Sequence, residues 1–363
     1  MGALGGGYEG GLMIATAEAF TLGVPVEVGK IDSELKKLWN ESGSDLTRAS
    51  LINLAIYSEE PGSLPRNTEM ISRITEDHAC RAIVISASAG AKENRVKAWI
   101  SAHCHINRAG SKQVCSEQLS FRLEGPCSKL LPNIVFSHLD SDLPFFLWWQ
   151  GNFHDSMDPQ LWAWVDRVIY DSHAWSDFGA QIARVETAQA EAKQRIVLCD
   201  LNWTRLVQFR LALAQFFDHP ASQHCLQEIE RVEIDFAPGY RSTGLLLTGW
   251  LAAQLHWNLE TGAAPGELVF RNQSSQTIRA LLAEKTGEPI SRCVLDCGKI
   301  KFGVIHSLDA DLLEVGVMGS AGERKCLMPA GNNDPVRLMS EELVRGGPHR
   351  VYLRAINSVR NLL

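Results

Sequence analysis

The most metal-like local cluster in this sequence is His103, Cys104 and His105, with Cys115 eleven residues beyond Cys104. Imidazole nitrogen and thiolate sulfur are the donors that hold zinc, and a thiol pair is also the chemistry of redox control. The surrounding residues alternate in character as a strand does, which puts His103 and His105 on one face and Cys104 on the other. Without a bulge these donors do not converge, so they read as ordinary strand residues and no metal site is assigned. Cys293 and Cys297, in CVLDC, are four apart where a redox motif needs three. On a strand they face one side but stand too far apart for an easy disulfide, and they read as buried thiols.

Acid–base chemistry would need two carboxyl groups in one cleft. Asp140, Asp142, Asp158, Asp166, Asp171 and Asp200 stand at the ends of expected elements, but their spacing brings no pair together. Asp166 followed by Arg167 reads as well as an ionic anchor before a strand. GGGYEGG near the start has no Gly-Lys-Ser/Thr ending and no strand ahead of it, so it is a poor phosphate loop. No catalytic residue and no cofactor is assigned.

Asp200, Trp203, Thr204, Arg205, Arg210 and Gln215 crowd the approach to an apolar helix. Arginine and tryptophan offer rigid, partly desolvated contact area, the chemistry of protein interface hot spots. The partner-contact reading names Trp203, Arg205 and Arg210, with Trp148 and Trp149 as a second region. The opposing reading keeps everything within the chain: Asp200 caps the helix, the arginines tie it down, and the tryptophans lie in the core. On the contact reading, Arg205→Ala weakens partner activation and spares the fold.

The elements that would position these residues alternate along the chain. Ile31, Leu35 and Leu38 predict a helix over 31–39, followed by a strand over 51–57, a helix over 68–77 and a buried strand over 81–86. Two alternating stretches, 96–106 and 114–123, form a long hairpin with one solvated face and make the sheet mixed. A helix over 129–136, the strand Phe145 to Trp149 set by Pro144, a helix over 160–164 and a strand over 168–170 follow. Helices are expected over 178–193 and 202–217, then strand-like alternation over 225–236. In the helix 244–259, Gly249 would let a neighbour approach closely. Beyond a turn at 261–266, stretches at 267–271, 276–283, 291–296, 300–308 and 312–318 read as an antiparallel sheet, closed by helices over 335–344 and 352–363.

With 363 residues the chain exceeds the usual size of one core. The expected fold is mixed α/β: a flexible glycine-rich leader over 1–26, a sandwich-like α/β domain with a mixed sheet over 27–198, and an α+β domain with antiparallel strands over 199–363. The net charge of -7 argues against nucleic acid. No apolar run spans a membrane and the start lacks the pattern of a signal peptide, so the expected location is cytoplasmic. Nine cysteines at irregular spacing suit a reducing compartment better than a disulfide framework, with redox control by one exposed pair left open.

In HACRAIVI (78–85), AWISAHC (98–104), VCSEQL (114–119), DLPFFLWWQG (142–151), VDRVIYDS (165–172), DLNWTRLVQFRLALAQFFD (200–218) and LLLTGWLAAQLHW (245–257), the chain resembles the OpcA family of glucose-6-phosphate dehydrogenase assembly or activator proteins. The order and spacing of these stretches match over roughly 45–260, and the resemblance thins beyond TGEP (286–289). It implies a non-catalytic protein that binds the glucose-6-phosphate dehydrogenase oligomer, raises its activity and supports NADPH supply through the oxidative pentose phosphate pathway, as in cyanobacteria. Thiol-linked regulation belongs to that picture without pointing to a cysteine here. Two other readings stand beside it: a sugar-phosphate or nucleotide-binding enzyme, and an inert scaffold for the dehydrogenase oligomer.

Overall fold

In a computed structural model of the chain, residues 22–41, 46–88, 90–106, 113–125, 131, 133, 137–154, 162–191, 196–260, 266–319, 322–345 and 349–360 are described. Most of the helix expected over 129–136, the first residues of the one over 160–164, all but the last residue of the turn over 261–266 and most of the leader lie outside them. The chain forms two compact units that meet at Asp140 and Ser141. The break expected at 198/199 falls inside the second unit, where a strand runs into a helix.

The first unit contains β1 (Val24–Val26), α1 (Ile31–Glu41), β2 (Leu46–Arg48), β3 (Ile52–Ser58), α2 (Ser63–Ile74), β4 (Cys80–Ser88), β5 (Arg95–Ile106) and β6 (Gln113–Glu124). The order β1-β5-β6-β4-β3 mixes parallel pairs, β3 with β4 and β4 with β6, with the antiparallel pairs β5–β6 and β1–β5. The hairpin is therefore as expected, but β6 is buried along most of its length, so its faces are covered on both sides. α2 starts five residues before its expected start. Gly62 turns into it with φ 77, and Pro65 sits in the first turn, where a missing N–H is harmless.

Cys104 and Cys115 are opposed in the β5–β6 register and form a disulfide. This corrects the reading of these residues as unlinked: the pairing register of the two strands, invisible in spacing alone, sets two cysteines directly across from one another. Cys104 is exposed and Cys115 buried. His103 bonds Gln118, and His105 bonds Thr75, the residue just past α2. Because the Gln118 amide nitrogen donates to Thr68 and Ser120, its oxygen accepts from His103. The two histidines share a face and are both satisfied there, as ordinary strand residues.

The second unit opens with three parallel strands, β7 (Phe145–Gln150), β8 (Arg167–Tyr170) and β9 (Val197–Asp200), with α3 (Phe178–Glu191) between the last two. α4 (Leu201–Arg205), α5 (Val207–Gln215) and α6 (Pro220–Gln223) lead to β10 (Arg231–Phe236) and α7 (Arg241–Leu255). The single helix expected over 202–217 is thus broken at Leu206, whose N–H turns back to the Trp203 carbonyl in a tighter turn. The strand expected from 225 begins only at Arg231; a short 3-10 turn over His224–Gln227 precedes it.

β11 (Asn258–Glu260), β12 (Glu267–Arg271), β13 (Thr277–Glu284), β14 (Ile290–Asp296), β15 (Lys301–His306), β16 (Leu312–Gly319) and β17 (Gly322–Pro329) complete an eight-stranded sheet with β10, in the order β11-β12-β13-β10-β14-β15-β16-β17. It is antiparallel except at β10–β13, where β10 is inserted from the strand, helix, strand region and runs parallel to its neighbour. α8 (Pro335–Val344) starts on Asp334, whose side chain accepts the Val336 N–H, and α9 (Arg350–Val359) follows. A Cβ on Gly249 would lie 2.4 Å from the Ala355 carbonyl oxygen, so this glycine does admit a close neighbour, α9. Among the described residues no helix is long and apolar enough to cross a membrane.

Candidate functional site

β8 and β9 end side by side at Tyr170 and Asp200, and carboxyl ends of parallel strands are where α/β sheets gather polar groups. Asp200 caps α4 by accepting the Asn202 N–H and also accepts the N–H and hydroxyl of Ser172. Tyr352 of α9 donates its hydroxyl proton to Asp200 at 3.0 Å, so Tyr170, 2.9 Å from the Tyr352 oxygen, donates to Tyr352. Burial, followed by the charge of Asp171, pushes the Asp200 carboxyl up to about 6. Burial works the same way on Asp171, but bonds to His173 and Arg205 outweigh it and hold that carboxyl down to about 2.

Arg205 grips Asp171 with two nitrogens, at 3.2 and 2.8 Å, and donates to Asn202. Its guanidinium lies over Tyr240, on which His173 stacks at 4.8 Å. The structure thus brings together two of the six aspartates, Asp171 and Asp200, in a paired and capped network. Asp166 accepts the Phe145 N–H as a strand anchor, the backbone N–H and carbonyl of Asp140 bond the Asn53 side chain, and Asp158 lies outside the described residues.

Beside the network a cavity of about 830 Å³ opens among α5, α7 and α9. Trp203, Phe217, Trp250 and Leu255 give it apolar walls, with Leu211, exposed by 53%, among its lining residues. Arg210, Arg345 and Arg350 add positive charge. Arg210 sits 3.5 Å over the Trp203 ring and donates to the carbonyls of Leu206 and Trp203. Burial, then the nearby Arg345, lowers it to about 9. Next to the lining residues Arg345 and His349, Glu342 accepts from Thr204 and Arg345 on one oxygen and faces His349 with the other, while Cys199 lies 3.7 Å from His349.

Of the five residues named as partner contacts, Arg210 and Trp203 line this cavity, although Trp203 is buried. Arg205 is buried in its ion pair. Trp148 and Trp149 are each 3% exposed in β7, where the Trp149 N–H bonds the Asn152 carbonyl and its ring stacks on Phe153. Strand burial on both faces is the reason they do not reach solvent. Tyr352, Glu342 and His349 were not singled out from sequence, because their partners are 138 to 152 residues away. Cys293 and Cys297 are free and buried, and burial pushes both thiols up to about 12.

Two family models match this chain: the glucose-6-phosphate dehydrogenase subunit N-terminal domain over residues 71–187 and the corresponding C-terminal domain over 196–356. The chain belongs to the OpcA family. The OxPP cycle protein OpcA of Nostoc punctiforme is 29% identical over 58% of this chain and 46% of its own length. Its counterpart in Synechocystis sp. is 25% identical over 51% of this chain and 38% of its own. The chain spans about half the length of the curated relatives it matches. The C-terminal family model includes Asp200, Glu342, His349 and Tyr352. Solved structures with a similar outline include an aldose-aldose oxidoreductase from Caulobacter crescentus, at 10% identity and TM-score 0.48 over 86% of this chain and 95% of that one. An oxidoreductase from Bacillus cereus aligns at 10% identity and TM-score 0.46, over 86% and 94%.

Proposed function

We propose that this OpcA-family chain binds the glucose-6-phosphate dehydrogenase oligomer in the cytoplasm, assists its assembly and raises its activity without catalysing a reaction itself. The observation that carries this reading is the match of two successive family models, both described by that dehydrogenase, over most of the chain. A binding protein activates by holding the competent conformation of its partner more tightly than the other one. A difference of about 1.4 kcal/mol shifts the balance tenfold. The carboxylates available for proton transfer near β8 and β9 are occupied in capping and ion pairing, which fits a structural use.

The contact surface we propose centres on the mouth of the cavity. Leu211 is apolar and open to a partner, and Trp203 and Arg210 shape the wall beneath it. Arg205, Trp148 and Trp149 then act on that surface only through packing. Light scattering on a mixture of this protein with its cognate dehydrogenase should reveal a mixed complex that Leu211→Asp weakens by tenfold or more, about the loss of a central apolar contact. An unweakened complex with the folded L211D variant would move the contact elsewhere; absence of any complex with the unaltered protein would remove the function.

A further inference from the structure

Cys199, Glu342 and His349 come from three elements, the end of β9, α8 and the residue before α9. The His349 Nε2 lies 3.7 Å from the Cys199 Sγ and 3.0 Å from a Glu342 carboxylate oxygen, and the three donor atoms fall within 4.8 Å of one another. Zinc bonds of about 2.0–2.3 Å at tetrahedral angles set donor separations of roughly 3.3–3.7 Å. The observed spacing is close to those edges. Cys199 and Glu342 are buried, and the His349 side chain is 12% exposed.

The carboxylate is held as a ligand would be. Thr204 and Arg345 donate to Glu342 Oε1, while the buried Oε2 has no hydrogen-bond partner even though Nε2 stands 3.0 Å away. Outer hydrogen bonds of this kind orient a ligating group and leave its other lone pair for the ion. An Arg167 guanidinium nitrogen lies 3.9 Å from Sγ. A thiolate and a carboxylate together balance a divalent charge, and sulfur with imidazole selects zinc over magnesium or calcium.

We propose that Cys199, Glu342 and His349 bind a zinc-class divalent cation that pins the α8–α9 connection to β9 at the rim of the cavity. Binding displaces the thiol proton of Cys199 to solvent and leaves the fourth position of a tetrahedral ion to water. Among the described residues the other cluster of suitable type, His224, Cys225 and Glu228, lies within one short segment with two of its three residues exposed, and serves as the control.

The test uses the full chain, reduced and stripped with a chelator, then titrated with cobalt(II). A thiolate-to-cobalt charge-transfer band with the visible bands of a four-coordinate ion should appear and be displaced by one equivalent of zinc. Cys199→Ser should abolish the charge-transfer band, and His349→Ala should weaken binding beyond the roughly 100-fold loss caused by an outer-shell change. Cys225→Ser should leave both unchanged. Zinc should also raise the thermal midpoint of the unaltered protein and not that of C199S, which separates loss of a ligand from loss of fold. No thiolate band in the unaltered protein, a band that survives in C199S, or one that vanishes in C225S overturns the assignment.

Discussion

Arg205 makes two bonds to Asp171 with its side chain 5% exposed, so its deletion would leave a buried carboxylate held only by His173. Breaking a buried pair on one side costs about 3–5 kcal/mol. Arg205→Ala is therefore expected to lower stability by about 3 kcal/mol in urea unfolding, which revises the expectation that this change spares the fold. An unchanged urea midpoint would mean the pair contributes nothing. Asp200 gives a pH signature. Its folded value of about 6 lies above the ordinary 3.8, so the folded chain holds this proton more tightly than the unfolded one. That contribution is present at about pH 4 and is lost as pH rises through 6. Asp171, held down to about 2, acts oppositely, contributing above pH 4 and losing its effect as pH falls toward 2. Asp200→Asn should flatten the decline in urea midpoint between about pH 4 and 6 relative to the unaltered chain; an identical profile would show that Asp200 is not the group titrating. Residue types alone could not separate these roles. Arginine beside tryptophan marks an exposed hot spot and a buried anchor equally well, and Asp171 and Tyr352, which decide between them, are 34 and 152 residues from their partners.

At the scale of elements, the close crossing of α7 and α9 rests on Gly249. Alanine would ordinarily favour a helix by about 1 kcal/mol over glycine. Here its methyl group would meet the Ala355 carbonyl, so Gly249→Ala should destabilise by about 1–3 kcal/mol, as overpacking does, with a lower thermal midpoint as the readout. A raised midpoint would mean that α9 shifts freely. This glycine was legible because a glycine in the middle of an apolar helix has few uses other than close packing. The β5–β6 hairpin and the bounds of α8 were legible for similar reasons, alternation in one case and an Asp-Pro start in the other. β17 was not, since it is a charged edge strand exposed at almost every position and shows no apolar alternation. The break at Leu206 escaped notice because apolar spacing continues through it while only the backbone turns. The Cys104–Cys115 bond depended on register, which sequence spacing does not fix across a six-residue connection.

Across the whole molecule, both family models meet between residues 187 and 196, close to the 198/199 division expected from sequence, whereas the compact units meet at Asp140 and Ser141. Family membership was carried by long ordered stretches of sequence, and the mixed α/β class by the alternation of strand and helix. The partner surface was the least legible part, because a surface is defined by what the fold leaves outside, and the fold took in most of the tryptophans and Arg205. The most direct measurement is a glucose-6-phosphate saturation curve of the purified cognate dehydrogenase at increasing concentrations of this protein, in reduced and oxidised buffer, with this protein alone as control. The account predicts a half-saturating substrate concentration that falls as the protein is added and no turnover in the control. A mixed complex with an unmoved saturation curve would make the protein a passive scaffold, and turnover by the protein alone would contradict the non-catalytic reading.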